Sequence, residues 1–238
     1  ALLRSAYCRP GKRSATRQNI GLWLEDAMHT THTTLLLAGL TLHRIDFDPA
    51  TWRGADLFWL PHHAQLQHTS PKRQREHLAG RLAAFHALGA IPAIGENGAP
   101  RWPAGIFGSI SHSGTTALAV VAPQPVGVDI ERCLDAALCA ELADSIVDAD
   151  ERAVLLASGL PLPLAVTLAF SAKESLFKAF SDRALPYPGF ASARVTALTD
   201  AQLSLTLSAR FCPAMTGETV TADWCVAQDD VITLLSHN

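Results

Sequence analysis

The chain is poor in charged residues, and it has no apolar run long enough to cross a membrane. Only 17% of its 238 residues are charged, and the formal net charge is −3. Broad nucleic-acid binding needs a basic surface, so we expect no nucleic-acid partner. A membrane-spanning helix needs about 18 consecutive apolar residues, and stretches such as TTLLLAGL at 33–40 are much shorter. We therefore expect a globular protein with a sizeable core and no transmembrane segment.

Cysteine is scarce as well, and its spacing follows no metal or disulfide pattern. No C-x-x-C pair and no Cys/His spacing typical of a zinc site is present. An odd number of scattered cysteines favours free thiols that behave as small buried side chains in a reducing compartment. We therefore expect free thiols and a cytoplasmic location. The five are Cys8, Cys133, Cys139, Cys212 and Cys225.

The first 27 residues differ from the rest of the chain. They are basic, and segments such as RPGKRSATRQN have neither a helical nor a strand period. We expect residues 1–27 to be a poorly ordered extension, with Met28 as a candidate start of the functional chain. The remainder has two halves of similar order, each with one principal helix followed by several strands. This order suggests an internal duplication and is compatible with a monomer.

Each half has one long predicted helix. In the first, at 71–89, Ser70 can cap the amino end, Pro71 suits the first helical position and Gly89 ends the helix. The first turns of this helix carry cations where the helix dipole favours anions, which suggests a place for an anionic ligand. These cations are Lys72, Arg73 and Arg75. The second long helix is predicted at 163–181.

Strands are predicted after each helix. Runs of β-type residues at 106–111, 116–122 and 126–131 predict a three-stranded meander, with SHSG and APQP as its turns. Four antiparallel strands are predicted between residues 193 and 236.

The run VGVDIE at 126–131 holds two carboxylates in a predicted buried strand. Side chains alternate along a strand, so Asp129 and Glu131 project from the same face. Like charges this close repel each other. Either water screens them on a solvated strand face, or a cation lies between them.

A second polar group lies in FSAKESLFKAF at 170–180. On a helix, Glu174 and Lys178 are neighbours one turn apart, and a surface pair of this kind contributes only about 0.3–0.5 kcal/mol. Such a pair is one interpretation, and a functional pair is the other.

A third polar group lies in GSISHSG at 108–114. Ser111 and His112 are adjacent in an extended segment, so their side chains point apart and do not form a nucleophile pair. They are either ordinary turn residues or groups that hydrogen-bond a ligand.

Together these groups fit one chemistry. Asp129, Glu131 and Glu174 offer the carboxylate oxygens that Mg²⁺ prefers, and protein-bound Mg²⁺ is often shared with substrate phosphates. Lys178, His112 and the arginines of the first helix would hold anionic charge. The combination predicts a phosphoryl or pyrophosphate site.

VGVDIE followed about forty residues later by FSAKESLFKAF resembles the signature of the 4′-phosphopantetheinyl transferases. Their pattern is (V/I)G(V/I)D(I/V)E followed by (F/W)(S/C)xKE(A/S)xxK. The segments REHLAGRLAAFHAL, PRWP and GSISHSGTTALAVV resemble the branch of this family that serves siderophore synthesis. The likeness extends from about Met28 to the end of the chain.

This resemblance implies an α/β (α+β) fold. It would be a pseudo-two-fold pair of similar subdomains, 28–125 and 126–238, each with a long helix packed on a mainly antiparallel sheet. It also implies transfer of 4′-phosphopantetheine from coenzyme A to a serine of an apo acyl, aryl or peptidyl carrier protein, with release of 3′,5′-ADP. The carrier domains would belong to a siderophore synthetase that makes an enterobactin-like non-ribosomal peptide.

The resemblance also implies roles for single residues. Asp129, Glu131 and Glu174 would bind Mg²⁺, and Glu174 and Lys178 would be catalytic. The side chains expected to contact coenzyme A are Arg73, Arg75, Arg81, Ser111, His112, Lys173 and Lys178. The three arginines lie on one predicted helix, so at most two are expected to face the ligand. The loop GENGAPRWP departs from many relatives because Asn97 lies where they have Lys or Arg, and Arg101 is a candidate replacement.

Two other functions are compatible with the same residues. A Mg²⁺-dependent phosphohydrolase acting on coenzyme A or nucleotides would need the same carboxylates and cations. A non-catalytic protein that only binds carrier proteins would not need the carboxylates or Lys178, so the residues favour an enzyme.

Overall fold

The computed structural model describes residues 27–95 and 98–236. The predicted extension, apart from Ala27, and Asn97 therefore lie outside the described residues. The chain divides into two compact units, and the division falls between Pro123 and Gln124. We call the described residues before this point the N-terminal unit and those after it the C-terminal unit.

The N-terminal unit is an antiparallel sheet covered on one face by a long helix. The strands follow the order β1-β2-β6-β5, and β3 and β4 form a separate short ribbon. The core between sheet and helix contains Ile45, Leu60, Ala79, Ala83 and Ala119. The elements are β1 Thr30–Leu37, β2 Leu40–Phe47, α1 Pro71–Leu88, β3 Ala93–Ile94, β4 Pro100–Arg101, β5 Phe107–Ser113 and β6 Thr116–Ala122, with 3₁₀ helices at Pro49–Thr51, Gly54–Trp59 and His63–Leu66.

Helix α1 begins and ends as the sequence predicts. The Ser70 hydroxyl accepts a hydrogen bond from the Arg73 amide, Pro71 occupies the first position, and Gly89 is left-handed with φ 79°. These local signals satisfy amide and carbonyl groups that a helix end leaves unpaired. The helix also buries several polar side chains in its first three turns: Gln74, Glu76, His77 and Arg81.

The C-terminal unit is a five-stranded antiparallel sheet in the order β7-β11-β10-β9-β8, with three helices. Its long helix α4 packs on β7 and β11. The elements are β7 Val126–Arg132, α2 Ala136–Ile146, α3 Ala149–Ala157, α4 Leu162–Ala179, β8 Ala193–Leu198, β9 Gln202–Leu207, β10 Thr219–Ala227 and β11 Asp230–Ser236, with 3₁₀ helices at Phe190–Ser192 and Pro213–Met215. Each unit thus has a long helix on an antiparallel sheet, and the predicted α+β class is confirmed.

The predicted three-stranded meander is wrong in its third strand. β5 and β6 form the expected hairpin, but β7 pairs with β11 in the sheet of the C-terminal unit. The connection between β6 and β7 contains Pro123 and Pro125. Proline has no amide proton for a strand ladder, so this segment does not support a tight hairpin.

The expectation about cysteines is partly wrong. Cys133, Cys139 and Cys212 are free thiols as predicted, whereas Cys225 is disulfide-bonded. Cys8 lies outside the described residues. None of the helices in the described ranges is long and apolar enough to span a membrane.

Gly127 allows β7 to lie against helix α4. A Cβ atom at this position would overlap the carbonyl oxygen of Ser175 and would lie 2.7 Å from the amide nitrogen of Ala179. Both are helix backbone atoms, so they cannot move aside as a flexible side chain would. The glycine of VGVDIE is therefore required by the close approach of strand and helix.

We expect Gly127→Ala to destabilise the protein by about 1–3 kcal/mol or more, because overpacking forces backbone shifts. Urea unfolding followed by circular dichroism measures this change. The matched control is Gly54→Ala, since a Cβ on Gly54 would meet nothing within 4 Å. Equal unfolding midpoints for the two variants would contradict the close approach of β7 and α4.

Candidate functional site

Strand β7 carries Asp129 and Glu131 on one face, as the alternation predicts. Asp129 is 2% exposed, and Glu131 is half-buried near the end of the strand. A carboxylate this deeply buried is stable only if charged or polar partners compensate for the lost water. The contacts of Asp129 supply them.

Both oxygens of Asp129 contact helix α4. The Lys178 ammonium donates to Oδ1 at 2.6 Å, and the Ser171 hydroxyl donates to Oδ2 at 2.7 Å. These residues are seven positions apart on α4, which is about two turns, so they lie on the same face. Lys178 keeps 28% of its side chain exposed and can therefore also meet a ligand.

The charge of Asp129 affects the pKa values of the other two predicted ligands, Glu131 and Glu174. Burial and then the Asp129 charge raise the pKa of Glu131 to about 7, although Lys178 opposes this shift. Burial and then Asp129 also raise the pKa of Glu174, and Lys178 again opposes the shift. The three carboxylates therefore lie close enough to repel each other even with the Lys178 ammonium beside Asp129.

This excess of negative charge fits a divalent cation, and carboxylate oxygen is the donor that Mg²⁺ prefers. The ligand geometry itself is not assembled, because residues 27–95 and 98–236 contain no group of three His, Cys, Asp or Glu side chains arranged to hold a metal. The donors thus fit in charge and chemistry, with Lys178 in contact with one of them.

Lys173, the neighbour of Glu174, lies elsewhere. Its side chain is 0% exposed, and the ammonium contacts Glu151 at 2.6 Å and donates to the Ile146 carbonyl at 2.8 Å. Glu151 also caps α3 through the Asp148 amide and accepts from the Val195 amide. The signature lysine therefore ties α4 to the end of α2, to α3 and to β8, and it offers no exposed atom to coenzyme A.

In the N-terminal unit, α1 and β5 bring Arg73 and His112 together. The Arg73 guanidinium lies 3.1 Å from His112 Nε2. Because a guanidinium only donates, Nε2 must accept, and the imidazole proton belongs on Nδ1. Nδ1 lies 3.9 Å from the Glu76 carboxylate, so Glu76 favours this tautomer.

Arg81 lies two turns after Arg73 and is almost fully buried. It is 4% exposed, and within residues 27–95 and 98–236 its Nε and Nη2 atoms have no hydrogen-bond partner. Burial and the Arg73 charge lower its pKa to about 10. Burial, Arg81 and neighbouring cations lower the pKa of His77 to about 3, and His77 contacts His62 at 3.0 Å. A buried cation next to neutral imidazoles favours an anionic ligand.

Two predicted ligands are separated from this group. Arg75 is about 200° around the helix from Arg73, so the two side chains leave opposite sides of α1. Ser111 is 5% exposed, and alternation along β5 directs it to the opposite face from His112. Arg101 is exposed on β4.

Sequence analysis missed several polar residues of these groups. Glu76 and His77 lie three and four positions after Arg73, so helical spacing could have identified them. His62 lies in a loop, and Thr233 and Ser175 join the Asp129 network from positions without charge. No pattern in the sequence singles these three out.

Comparison with known proteins identifies two matching family models. Residues 62–122 match the model described as the 4′-phosphopantetheinyl transferase N-terminal domain, and residues 125–234 match that of the 4′-phosphopantetheinyl transferase superfamily. Together they cover most of the chain.

Three curated relatives illustrate the similarity. Enterobactin synthase component D of Salmonella typhimurium is 51% identical over 214 residues, which are 88% of this chain and 91% of that protein. The protein of that name from Escherichia coli strain K12 is 56% identical over 157 residues, 64% of this chain and 76% of the relative. The 4′-phosphopantetheinyl transferase Npt of Nocardia iowensis is 33% identical over 135 residues, 52% of this chain and 60% of its own.

The raised pKa of Glu131 predicts a pH-dependent stability in metal-free solution. A carboxyl group whose pKa is about 7 in the folded protein and about 4.3 when unfolded costs stability as pH rises between these values. We therefore expect Glu131→Gln to raise the melting temperature in EDTA at pH 8 by roughly 2–4 °C, allowing for partial exposure. At pH 4 the two proteins should melt together. A variant that melts below the parent at pH 8 would contradict the repulsion.

Proposed function

Because the chain belongs to the 4′-phosphopantetheinyl transferase superfamily, we propose that it transfers 4′-phosphopantetheine from coenzyme A to a serine of an apo carrier protein, with release of 3′,5′-ADP. The relatives named enterobactin synthase component D support a role in siderophore synthesis. The acceptors would then be aryl and peptidyl carrier domains of a siderophore synthetase. The observation that carries the proposal is the buried Asp129 in contact with Lys178 beside two further carboxylates.

The reaction exchanges a phosphoanhydride bond of coenzyme A for a phosphodiester bond to the carrier serine. The carrier serine oxygen forms a bond to the β-phosphorus of coenzyme A, and the bond from that phosphorus to the bridging oxygen of the nucleotide breaks. Glu174 accepts the serine proton, directly or through water. Burial and then the Asp129 charge raise the pKa of Glu174 in the metal-free protein, and general bases work best with a pKa near the working pH.

Lys178 would stabilise the negative charge that develops on the leaving 3′,5′-ADP. Its ammonium is held by Asp129 at 2.6 Å and remains partly exposed, so it is positioned before the substrate arrives. Asp129, Glu131 and Glu174 would hold Mg²⁺, which when bound supplies neutralising charge to the pyrophosphate. Their mutual repulsion in the metal-free protein supports this role.

The N-terminal unit would hold the 3′-phosphorylated nucleotide end. The supporting features are the contact of Arg73 with His112 and the buried Arg81 guanidinium, of which two nitrogens have no partner in the described part of the chain. A phosphate group could accept from both arginines in charge-assisted hydrogen bonds. Arg75, Ser111 and Lys173 lie apart from these groups. We propose a structural role for Lys173 in place of its predicted contact with coenzyme A.

The transfer is tested by mass spectrometry of an apo aryl carrier domain incubated with the protein, coenzyme A and Mg²⁺. We expect a gain of one phosphopantetheine unit. Glu174→Gln should lower kcat by about 10²–10⁴, the usual contribution of a general base, with an unchanged circular dichroism spectrum. Release of 3′,5′-ADP from coenzyme A without any carrier would instead favour the phosphohydrolase. Near-parental loading by Glu174→Gln would remove Glu174 from catalysis.

The role of Arg81 is tested with Arg81→Met and two substrates. Loss of a charge-assisted contact of about 1.5–3 kcal/mol should raise KM for coenzyme A by about 10–100-fold and change kcat little. Dephospho-coenzyme A, which lacks the 3′-phosphate, should be used equally well by parent and variant. The variant should also be at least as stable as the parent in urea, because the change removes a buried cation with two nitrogens that no described residue pairs. Equal losses with both substrates would contradict a 3′-phosphate contact.

A further inference from the structure

The buried surroundings of Asp129 contain more than Lys178 and Ser171. Three hydroxyl groups follow one another behind the carboxylate, and all belong to residues that are 0% exposed: Ser171, Ser175 and Thr233. Ser171 Oγ lies 2.9 Å from Thr233 Oγ1, and Thr233 Oγ1 lies 2.7 Å from Ser175 Oγ. Water cannot reach these positions to replace a missing partner.

The three hydroxyl groups come from two elements, helix α4 and strand β11. Ser171 and Ser175 are one turn apart on α4, so they share a face. Thr233 lies on β11 directly opposite Asp129 of β7 in the strand register. The helix packs on these two strands, and its two serines meet the carboxylate and the threonine there.

The Asp129 carboxylate sets the direction of the hydrogen bonds among these three hydroxyl groups. An ionised carboxylate only accepts, so the single proton of Ser171 is used on Asp129 Oδ2. Ser171 Oγ must then accept the proton of Thr233, and Thr233 Oγ1 must accept that of Ser175. The Thr233 carbonyl, 3.1 Å from Ser175 Oγ, is a second and longer acceptor for the same proton. Hydrogen bonds aligned in this way polarise and strengthen one another in a dry interior.

We propose that Ser175, Thr233 and Ser171 form a directed hydroxyl relay that fixes the orientation of the Asp129 carboxylate, so that one oxygen faces Lys178 and the ligand side. Thr233 and Ser175 are positioning residues, since they touch neither substrate nor metal and act through Ser171. The inference rests on the proposed function for its consequence, which is tighter metal binding at Asp129. Residues that orient metal ligands in this way change metal affinity by about 10–100-fold.

The test compares four variants in the full chain. Thr233→Val removes the central hydroxyl with little change of shape, and Thr233→Ser restores it. Ser171→Ala removes the group that touches Asp129. Thr221→Val is the matched control, because its hydroxyl lies on β10, 3.4 Å from Ser204, outside the relay.

The first measurement needs no metal. Crystal structures of the parent and Thr233→Val show whether Ser171 and Asp129 keep their orientation. We expect Ser171 to turn towards a helix carbonyl and Asp129 Oδ2 to lose its donor, while Thr233→Ser keeps the parental arrangement. Unchanged positions of both side chains in Thr233→Val would overturn the relay.

The second measurement is binding of Mn²⁺, followed through the EPR signal of the free ion. We expect the dissociation constant to rise about 10-fold in Thr233→Val and up to about 100-fold in Ser171→Ala. The dissociation constants of Thr233→Ser and Thr221→Val should both lie within twofold of the parental value. A Thr233→Val affinity equal to that of the parent would overturn the relay. If the parent itself binds no Mn²⁺, the metal in the proposed function is overturned, and the crystal structures alone decide the relay.

Discussion

The contact between strand β7 and helix α4 at Gly127 sets the geometry of the C-terminal site. The absence of a side chain at Gly127 lets the strand lie close to the helix backbone. At this distance Asp129, two residues later, contacts two side chains of the helix. The same proximity removes Asp129 from water, so its charge acts on Glu131 and Glu174 with little screening. Gly127 therefore allows the close approach of β7 and α4, and Asp129 makes the polar contacts that this approach permits.

Helix α4 carries both buried side chains that stabilise the core and partly exposed side chains that are available to a ligand. Lys173 is fully buried and paired with Glu151, whereas Glu174 and Lys178 keep partial exposure. Adjacent residues on a helix differ by about 100° in direction, so Lys173 and Glu174 cannot have the same environment. Breaking a buried ion pair typically costs 3–5 kcal/mol, so the pair with Glu151 by itself gives Lys173 a structural role.

Local rules predicted part of this structure, and long-range packing decided the rest. The ends of α1 follow from Ser70, Pro71 and Gly89, because capping depends on a few adjacent residues. The sheet to which β7 belongs depends on β11, about a hundred residues later. Pro123 and Pro125 argue against a tight β6–β7 hairpin, but no local pattern identifies β11 as the partner. The charged residues of VGVDIE and FSAKESLFKAF were recognisable from their chemistry. Thr233, separated from Ser171 by 62 positions, was not, because a threonine in a strand is ordinary.

The two units have opposite charge imbalances, and this is the physical basis of the proposed substrate. In the N-terminal unit, Arg81 has two buried nitrogens without a partner among the described residues. Burial and then the Arg73 charge lower the pKa of Arg81. In the C-terminal unit, Asp129, Glu131 and Glu174 lie near one another and near the Lys178 ammonium. Native proteins retain unbalanced buried charge mainly where a ligand completes it. Under the proposed function, a phosphate group of coenzyme A would compensate the cations of the N-terminal unit. Mg²⁺ would compensate the carboxylates of the C-terminal unit, so each unit would meet the part of the substrate complex that has the opposite charge.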